Sequence, residues 1–305
     1  MMKKQHFAIG LICVGLIAIV AGITVTVTHP SGYSTTIPEG LDEAVVRSIF
    51  TSANVSPTDT TIDGTSYRYI ALTDNDQFYE SECFGEGHVI LGCGKKEGMT
   101  EVYALCSTSG YGFRNGILVD NTGSSCVPTL FRFVEAGNGE YLLKEAIKAE
   151  DGAYFAPSIR KMFPAALAEK AISAQSDDEI HASLSQQCDE YAKAYLKVLG
   201  REAKISSYRE EDFRMLNDYG VDAEVEKALY ALHPEYGFYV GSSEKLKSDG
   251  RYVYSLVWDG DDSGNGTVTY SKTRYDSGET VEKSAYTVKG NQFTELKEKK
   301  AKKKK

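Results

Sequence analysis

The chain has 305 residues, 42% of them hydrophobic and 25% charged, enough to bury one large core or two smaller ones. Its formal net charge of −9 conceals an asymmetry, because Lys3, Lys4 and seven lysines among the last nine residues leave residues 5–296 with 25 basic against 42 acidic side chains, a net of −17. A body that acidic repels phosphate backbones, which excludes nucleic-acid binding through the fold.

After a six-residue stub (1–6), residues 7–27 form one uncharged apolar run, FAIGLICVGLIAIVAGITVTV, long enough to cross a bilayer as a helix. Lys3 and Lys4 hold its amino end in the cytosol, so a single-pass protein with its carboxyl-terminal domain outside the cell is expected. The competing reading is a signal peptide cleaved near Val20-Ala21-Gly22, but the apolar run continues past that point. Residues 28–40, THPSGYSTTIPEG, read as a polar linker. Leu41–Ala53 then places Leu41, Val45, Ile49 and Phe50 on one helical face. Residues 54–76 read mostly as loop, with one strand at Ser66–Thr73.

A β-rich region follows. His88–Gly92 is expected to pair with Thr100–Cys106 through Gly94-Lys95-Lys96, and a glycine-rich connection (Ser109–Gly116) leads to a strand at Ile117–Asp120. Asn138-Gly139, a strong hairpin signal, joins Val127–Val134 to Glu140–Lys148. Pro157-Ser158 starts a helix that turns Ile159, Met162 and Phe163 inward, and Ala165–Ala174 continues the helical part. Ser176-Asp177-Asp178-Glu179 reads as a capping box opening a helix to Gly200, with Ile180, Leu184, Cys188, Tyr191, Tyr195 and Val198 as its buried stripe. Glu224–Leu232 is a short helix. From Tyr236 the period changes to two, and Gly237–Gly241, Tyr252–Trp258, Thr267–Tyr275 and Val281–Val288 read as an antiparallel meander. The expectation is an α+β fold: sheet hairpins, a central helical segment and a C-terminal β-meander in one domain over 41–296, divisible into 41–200 and 201–296. The basic tail, 297–305, follows.

EGHVIL (Glu86–Leu91), VYAL (Val102–Leu105), VPT…F (Val127–Phe131), NGEYLLKE (Asn138–Glu145) and EDGAYFAPSIRKMFP (Glu150–Pro164) together resemble the extracytoplasmic C-terminal region attached to some BlaR/MecR-type membrane metallopeptidases of Gram-positive bacteria. The likeness extends over roughly residues 41–290. The family's peptidase carries an HExxH zinc motif, whereas none of His6, His29, His88, His181 and His233 is followed by glutamate here. The resemblance therefore implies a free-standing outer domain, a membrane-anchored sensor or interaction module without proteolysis and without a cofactor. Its partners would be the membrane, through the N-terminal helix, and an envelope protein. The alternative is a cell-envelope hydrolase with an unrecognised site.

Several constellations compete with that reading. Ser242-Ser243-Glu244-Lys245 fits SxxK, Ser263-Gly264-Asn265 fits SxN, and Lys272-Thr273-Arg274 falls one residue short of KTG. All lie on strands and turns of one meander, so they do not assemble an acylation site. Asp259–Asn265 has the opening spacing of a calcium loop but lacks its closing carboxylate, since Tyr270 stands there. Cys83, Cys93, Cys106, Cys126 and Cys188 have no metal-ligand spacing. If a disulfide forms, Cys106–Cys126 is expected, with Cys83–Cys93 next and Cys188 a free core thiol. His88 and His181 read as structural. No catalytic, cofactor-binding or metal residue is assigned, and a shallow aromatic patch near Tyr111–Phe113 or on the meander is the expected binding surface.

Overall fold

The structure, a computed structural model, describes residues 32–72, 81–122 and 125–296. The predicted span at 7–27 and the lysine tail lie outside the described residues, and among those described no helix is long and apolar enough to cross a membrane. The linker reading needs correcting within 28–40: Tyr33–Ser34 (β1) pairs with Cys93 and Gly94, and Tyr33 is buried. Leu41–Ala53 (α1) has the expected limits and buries Leu41, Val45, Ile49 and Phe50. The next segment is not mostly loop. Thr58–Ile62 (β2) and Thr65–Tyr69 (β3) form a hairpin around Asp63-Gly64, both with positive φ.

The main sheet is built on Cys83–Lys96 (β4) and Met99–Arg114 (β5), both longer than the sequence implies. Their turn is Glu97-Gly98, where φ values of 52° and 79° suit a two-residue hairpin. The glycine-rich stretch 109–116 is not a connection. It continues β5 up to a second left-handed turn, Asn115-Gly116, which returns the chain as Ile117–Asp120 (β6). Along one edge β5 pairs with β4; along the other it pairs first with Val127–Glu135 (β7) and then with β6. Tyr141–Lys148 (β8) pairs with β7, as the Asn138-Gly139 signal implies.

Three helices follow: Phe155–Met162 (α2), Ala165–Ser173 (α3) and Asp178–Leu199 (α4). Asp177, not Ser176, caps α4, accepting from the backbone N–H groups of Glu179 and Ile180, and Gly200 ends it in the left-handed conformation. The alternation along β5 decides what each face buries. Val102, Ala104 and Cys106 meet α1, together with Phe131 and Phe133. Tyr103 and Leu105 meet α2, α3 and the start of α4. Further along, Tyr111 and Phe113 lie beneath Cys188 and Tyr195 of α4. The helix backbone rides very close to β4: a Cβ at Gly85 would stand 2.5 Å from the carbonyl oxygen of Cys188, and one at Gly87 only 2.4 Å from that of Leu184.

After Ile205–Ser207 (β9), which pairs in parallel with β6, a second core begins. Ala223–Leu232 (α5), capped by Asp222, packs against a meander of Gly241–Lys247 (β10), Gly250–Gly260 (β11), Gly266–Arg274 (β12), Thr280–Lys289 (β13) and Gln292–Glu295 (β14). The strand expected at Gly237–Gly241 is displaced to β10, because Gly237 (φ 75°) breaks the extended run. A bridge between Arg114 and Ser243 joins β10 to β5, so among the described residues twelve strands form one sheet carrying two separate cores.

The cysteines fall differently from expectation. All five in the described residues are free and buried. Cys106 faces α1 while Cys126 faces the α2–α4 side, so the sheet itself separates them. Cys83 and Cys93 both lie on β4, which holds them about 30 Å apart along an extended strand. Cys188 is the free core thiol its place on the stripe implies.

Candidate functional site

A cleft of about 1010 Å³ opens where the two cores meet. Ser109, Tyr111 and Asp120, from β5 and β6, form its floor; α4 contributes Ser185 and Asp189; the segment after β9 and the residues before β10 close the far side with Tyr208, Phe238 and Tyr239. The Asn115-Gly116 turn is what assembles the floor, since it sets Tyr111 directly opposite Asp120.

Asp120 is buried, and its carboxylate accepts hydrogen bonds from Ser109 Oγ at 3.0 Å, the Thr122 backbone N–H at 3.0 Å and Thr122 Oγ1 at 3.1 Å. Tyr111 donates its hydroxyl to Asp189 Oδ1 at 2.8 Å. Burial pushes the Asp189 carboxyl up; the hydrogen bond from Tyr111 opposes this, and the charge of Asp120 adds to the rise. Arg114 is 7% exposed, and its guanidinium carbon lies 5.4 Å from the Tyr208 ring centroid and 5.2 Å from that of Tyr239. Phe213 packs against both rings and fixes them. At the cleft margin Phe238 stacks on Tyr230 with centroids 3.9 Å apart, yet keeps 44% exposure. The arrangement can hold a ligand by hydroxyl and carboxylate hydrogen bonds over a fixed aromatic margin.

Below the cleft, a buried charge network ties the cores together. Arg251 of β11 reaches Glu82 at 2.6 Å and Glu244 of β10 at 3.1 Å, while Arg201 forks onto Glu244 at 2.7 and 2.9 Å. Tyr195 donates to the second oxygen of Glu82 at 3.0 Å, and both guanidinium groups lie over the Phe113 ring.

A separate clamp fastens α1 to β4. His88 Nδ1 sits 3.1 Å from Glu86 and Nε2 3.1 Å from Asp42, and Tyr191 of α4 donates to the other Glu86 oxygen. Burial works against the imidazolium, but the hydrogen bonds to the Asp42 and Glu86 carboxylates outweigh it and raise His88 to about 9. The folded value exceeds the ordinary 6.5, so this stabilisation is fully present below pH 6.5 and is lost as pH rises through 9. Unfolding free energy is expected to fall by about 2 kcal/mol across that window, less than the full shift implies because Asp42 is solvent-screened. Urea titrations at pH 6 and 9.5 check this, and His88→Gln should flatten the difference.

The motifs singled out in the sequence do not converge. On a strand, residues three apart point to opposite faces, so Ser242 and Lys245 diverge. Lys272 lies over the Tyr252 and Tyr254 rings, and Ser263 sits in the β11–β12 turn about 20 Å further along the strand. In the Asp259–Asn265 segment the Asp261 carboxylate is taken up locally by Ser263 and Asn265. His181 faces the Gln175 carbonyl oxygen at 3.2 Å. Tyr111 and Phe113 form no surface patch: both are 1% exposed, because α4 covers them. Arg114, Asp120, Asp189, Tyr208 and Tyr239 went unnoticed in the sequence, although Asn115-Gly116 is a hairpin signal that pairs 111 with 120. Compared with known proteins, the chain matches no family model, no curated protein and no solved structure.

Proposed function

We propose that the chain is a membrane-anchored extracytoplasmic sensor or interaction module that binds its ligand in the cleft between the two cores without turning it over. The cleft carries this reading: its volume is at the upper end for small-molecule sites, and its polar groups converge on a floor shared by β5, β6 and α4. Anchoring rests on the apolar run at 7–27, and the likeness of residues 86–164 to the outer region of BlaR/MecR-type receptors fits a module of this kind. One observation favours the hydrolase alternative. Asp189, its carboxyl pushed up by burial, stands in the same cleft as Asp120, and two carboxyl groups in one cleft are the usual means of acid–base hydrolysis.

A cell-envelope extract is expected to slow amide hydrogen exchange at residues 109–114, 118–121 and 205–209 of the full-length chain, with no accompanying release of product. A fluorescent penicillin should leave the protein unlabelled. Hydrolysis abolished by Asp189→Asn would establish the enzyme instead, and labelling at Ser242 would overturn the non-catalytic reading by another route.

A further inference from the structure

The chemistry of the cleft narrows the class of ligand, an inference that rests on the binding reading above. We propose that the cleft takes a neutral saccharide, with a sugar ring laid against Phe238 and its hydroxyl groups directed at the carboxylates of the floor.

Three other classes fit poorly. Phosphate-, sulfate- and carboxylate-bearing ligands would meet Asp120, Asp189 and Glu210, which outnumber the cleft's two arginines, Arg114 and Arg209, in a body whose net charge over residues 5–296 is −17. Ammonium ligands would seek tyrosine faces, but Arg114 already lies over both Tyr208 and Tyr239, and its charge repels a second cation there. An apolar ligand would strip water from the half-buried Asp189 carboxyl and the accessible edge of Asp120 and return nothing to them.

A neutral polyol meets each of these groups on favourable terms. Sugar hydroxyls donate to carboxylates without bringing a charge, and charge-assisted hydrogen bonds of this type are stronger than neutral ones. Both acceptors are already oriented, Asp120 by Ser109 and Thr122 and Asp189 by Tyr111, so little ordering is left to the binding step. The less polar C–H face of a sugar ring needs a flat, rigid apolar support. Phe238 supplies one, because Tyr230 backs one face of the ring while the side chain stays 44% exposed. The volume of the cleft suits a short oligosaccharide better than a single ring, since 1010 Å³ far exceeds one hexose.

The test is calorimetric titration of the full-length chain in detergent micelles with chitotetraose and cellotetraose as neutral probes, tetragalacturonate as an acidic probe and tetra-alanine as a peptide probe. Saturable binding of a neutral tetrasaccharide is expected, weakened at least about tenfold by Phe238→Ala and several-fold by Asp189→Asn, with no binding of tetragalacturonate. Preference for tetragalacturonate or the peptide would overturn the saccharide assignment and leave the cleft-binding reading standing. So would silence from all four probes when envelope extract still protects the cleft amides. Saccharide binding untouched by both substitutions would place the ligand elsewhere and overturn the assignment. If the extract protects no cleft amide, the underlying reading falls too.

Discussion

Replacing Arg251 with alanine is expected to cost about 3–5 kcal/mol of unfolding free energy, the usual penalty for removing one member of a buried ion network. Arg251 is 11% exposed at its side chain, and its partners Glu82 and Glu244 are 5% and 8% exposed. Burial opposes the charge of Arg251, but the two carboxylates hold its affinity for the proton above the ordinary value. In the alanine variant Arg201 still neutralises Glu244, while Glu82 keeps only the Tyr195 hydroxyl. The penalty therefore lies mainly with Glu82. Arg251→Met combined with Glu82→Leu should recover a large part of the loss, because it removes both charges and keeps apolar volume at the seam. Urea unfolding of the two variants and the wild type forms the comparison. A loss below about 1 kcal/mol in the alanine variant would show that the network adds little, as exposed pairs do.

The second large effect is expected at the close contact between α4 and β4. Gly87→Ala should destabilise by about 3 kcal/mol, at the upper end for overpacking, because the obstructing atom is a backbone carbonyl oxygen of a long helix and cannot swing aside. Gly85→Ala meets the Cys188 carbonyl one turn further along, so the pair should lift the helix as a unit and cost more than either alone. Gly98→Ala is the control. That glycine has φ 79° and open space around it, so its replacement should cost only the left-handed backbone term of about 1 kcal/mol. Equal losses at Gly87 and Gly98 would show that close approach is not what Gly87 provides.

Much of this fold was legible in the sequence wherever one residue type settled a local choice. The apolar spacing of Leu41, Val45 and Ile49 marks α1 to its limits, Asn138-Gly139 marks the β7–β8 hairpin, and Gly200 marks the end of α4. The misreadings share a cause. Gly110 and Gly112 read as part of a connection by composition, yet both lie in β5, and the neighbouring Ser81 and Thr122 press on Gly110, which is a tertiary reason. Cysteine pairing failed likewise, since proximity along folded strands says nothing of which sheet face each thiol takes. The cleft was the least legible feature. Arg114 is 94 residues from Tyr208 and 125 from Tyr239; the pairing of β9 with β6 brings in the first and the return of β10 to the end of β5 the second.

The branching of the sheet at β5 also divides the order of folding. From β10 to β14 every strand pairs with its immediate neighbour in the chain, so the C-terminal meander closes only short loops. The other core has local hairpins too, β4–β5, β5–β6 and β7–β8, but is completed only by distant segments: Leu118 pairs with Ile205, and Arg114 with Ser243. Loop-closure entropy has to be met before such contacts repay it, so they form late and slowly. In pulse-labelled refolding, amides of residues 252–273 should become protected first. Those of β4 and β5 should follow only when α4 settles onto them, and until then the central strands of the protein are its most exposed.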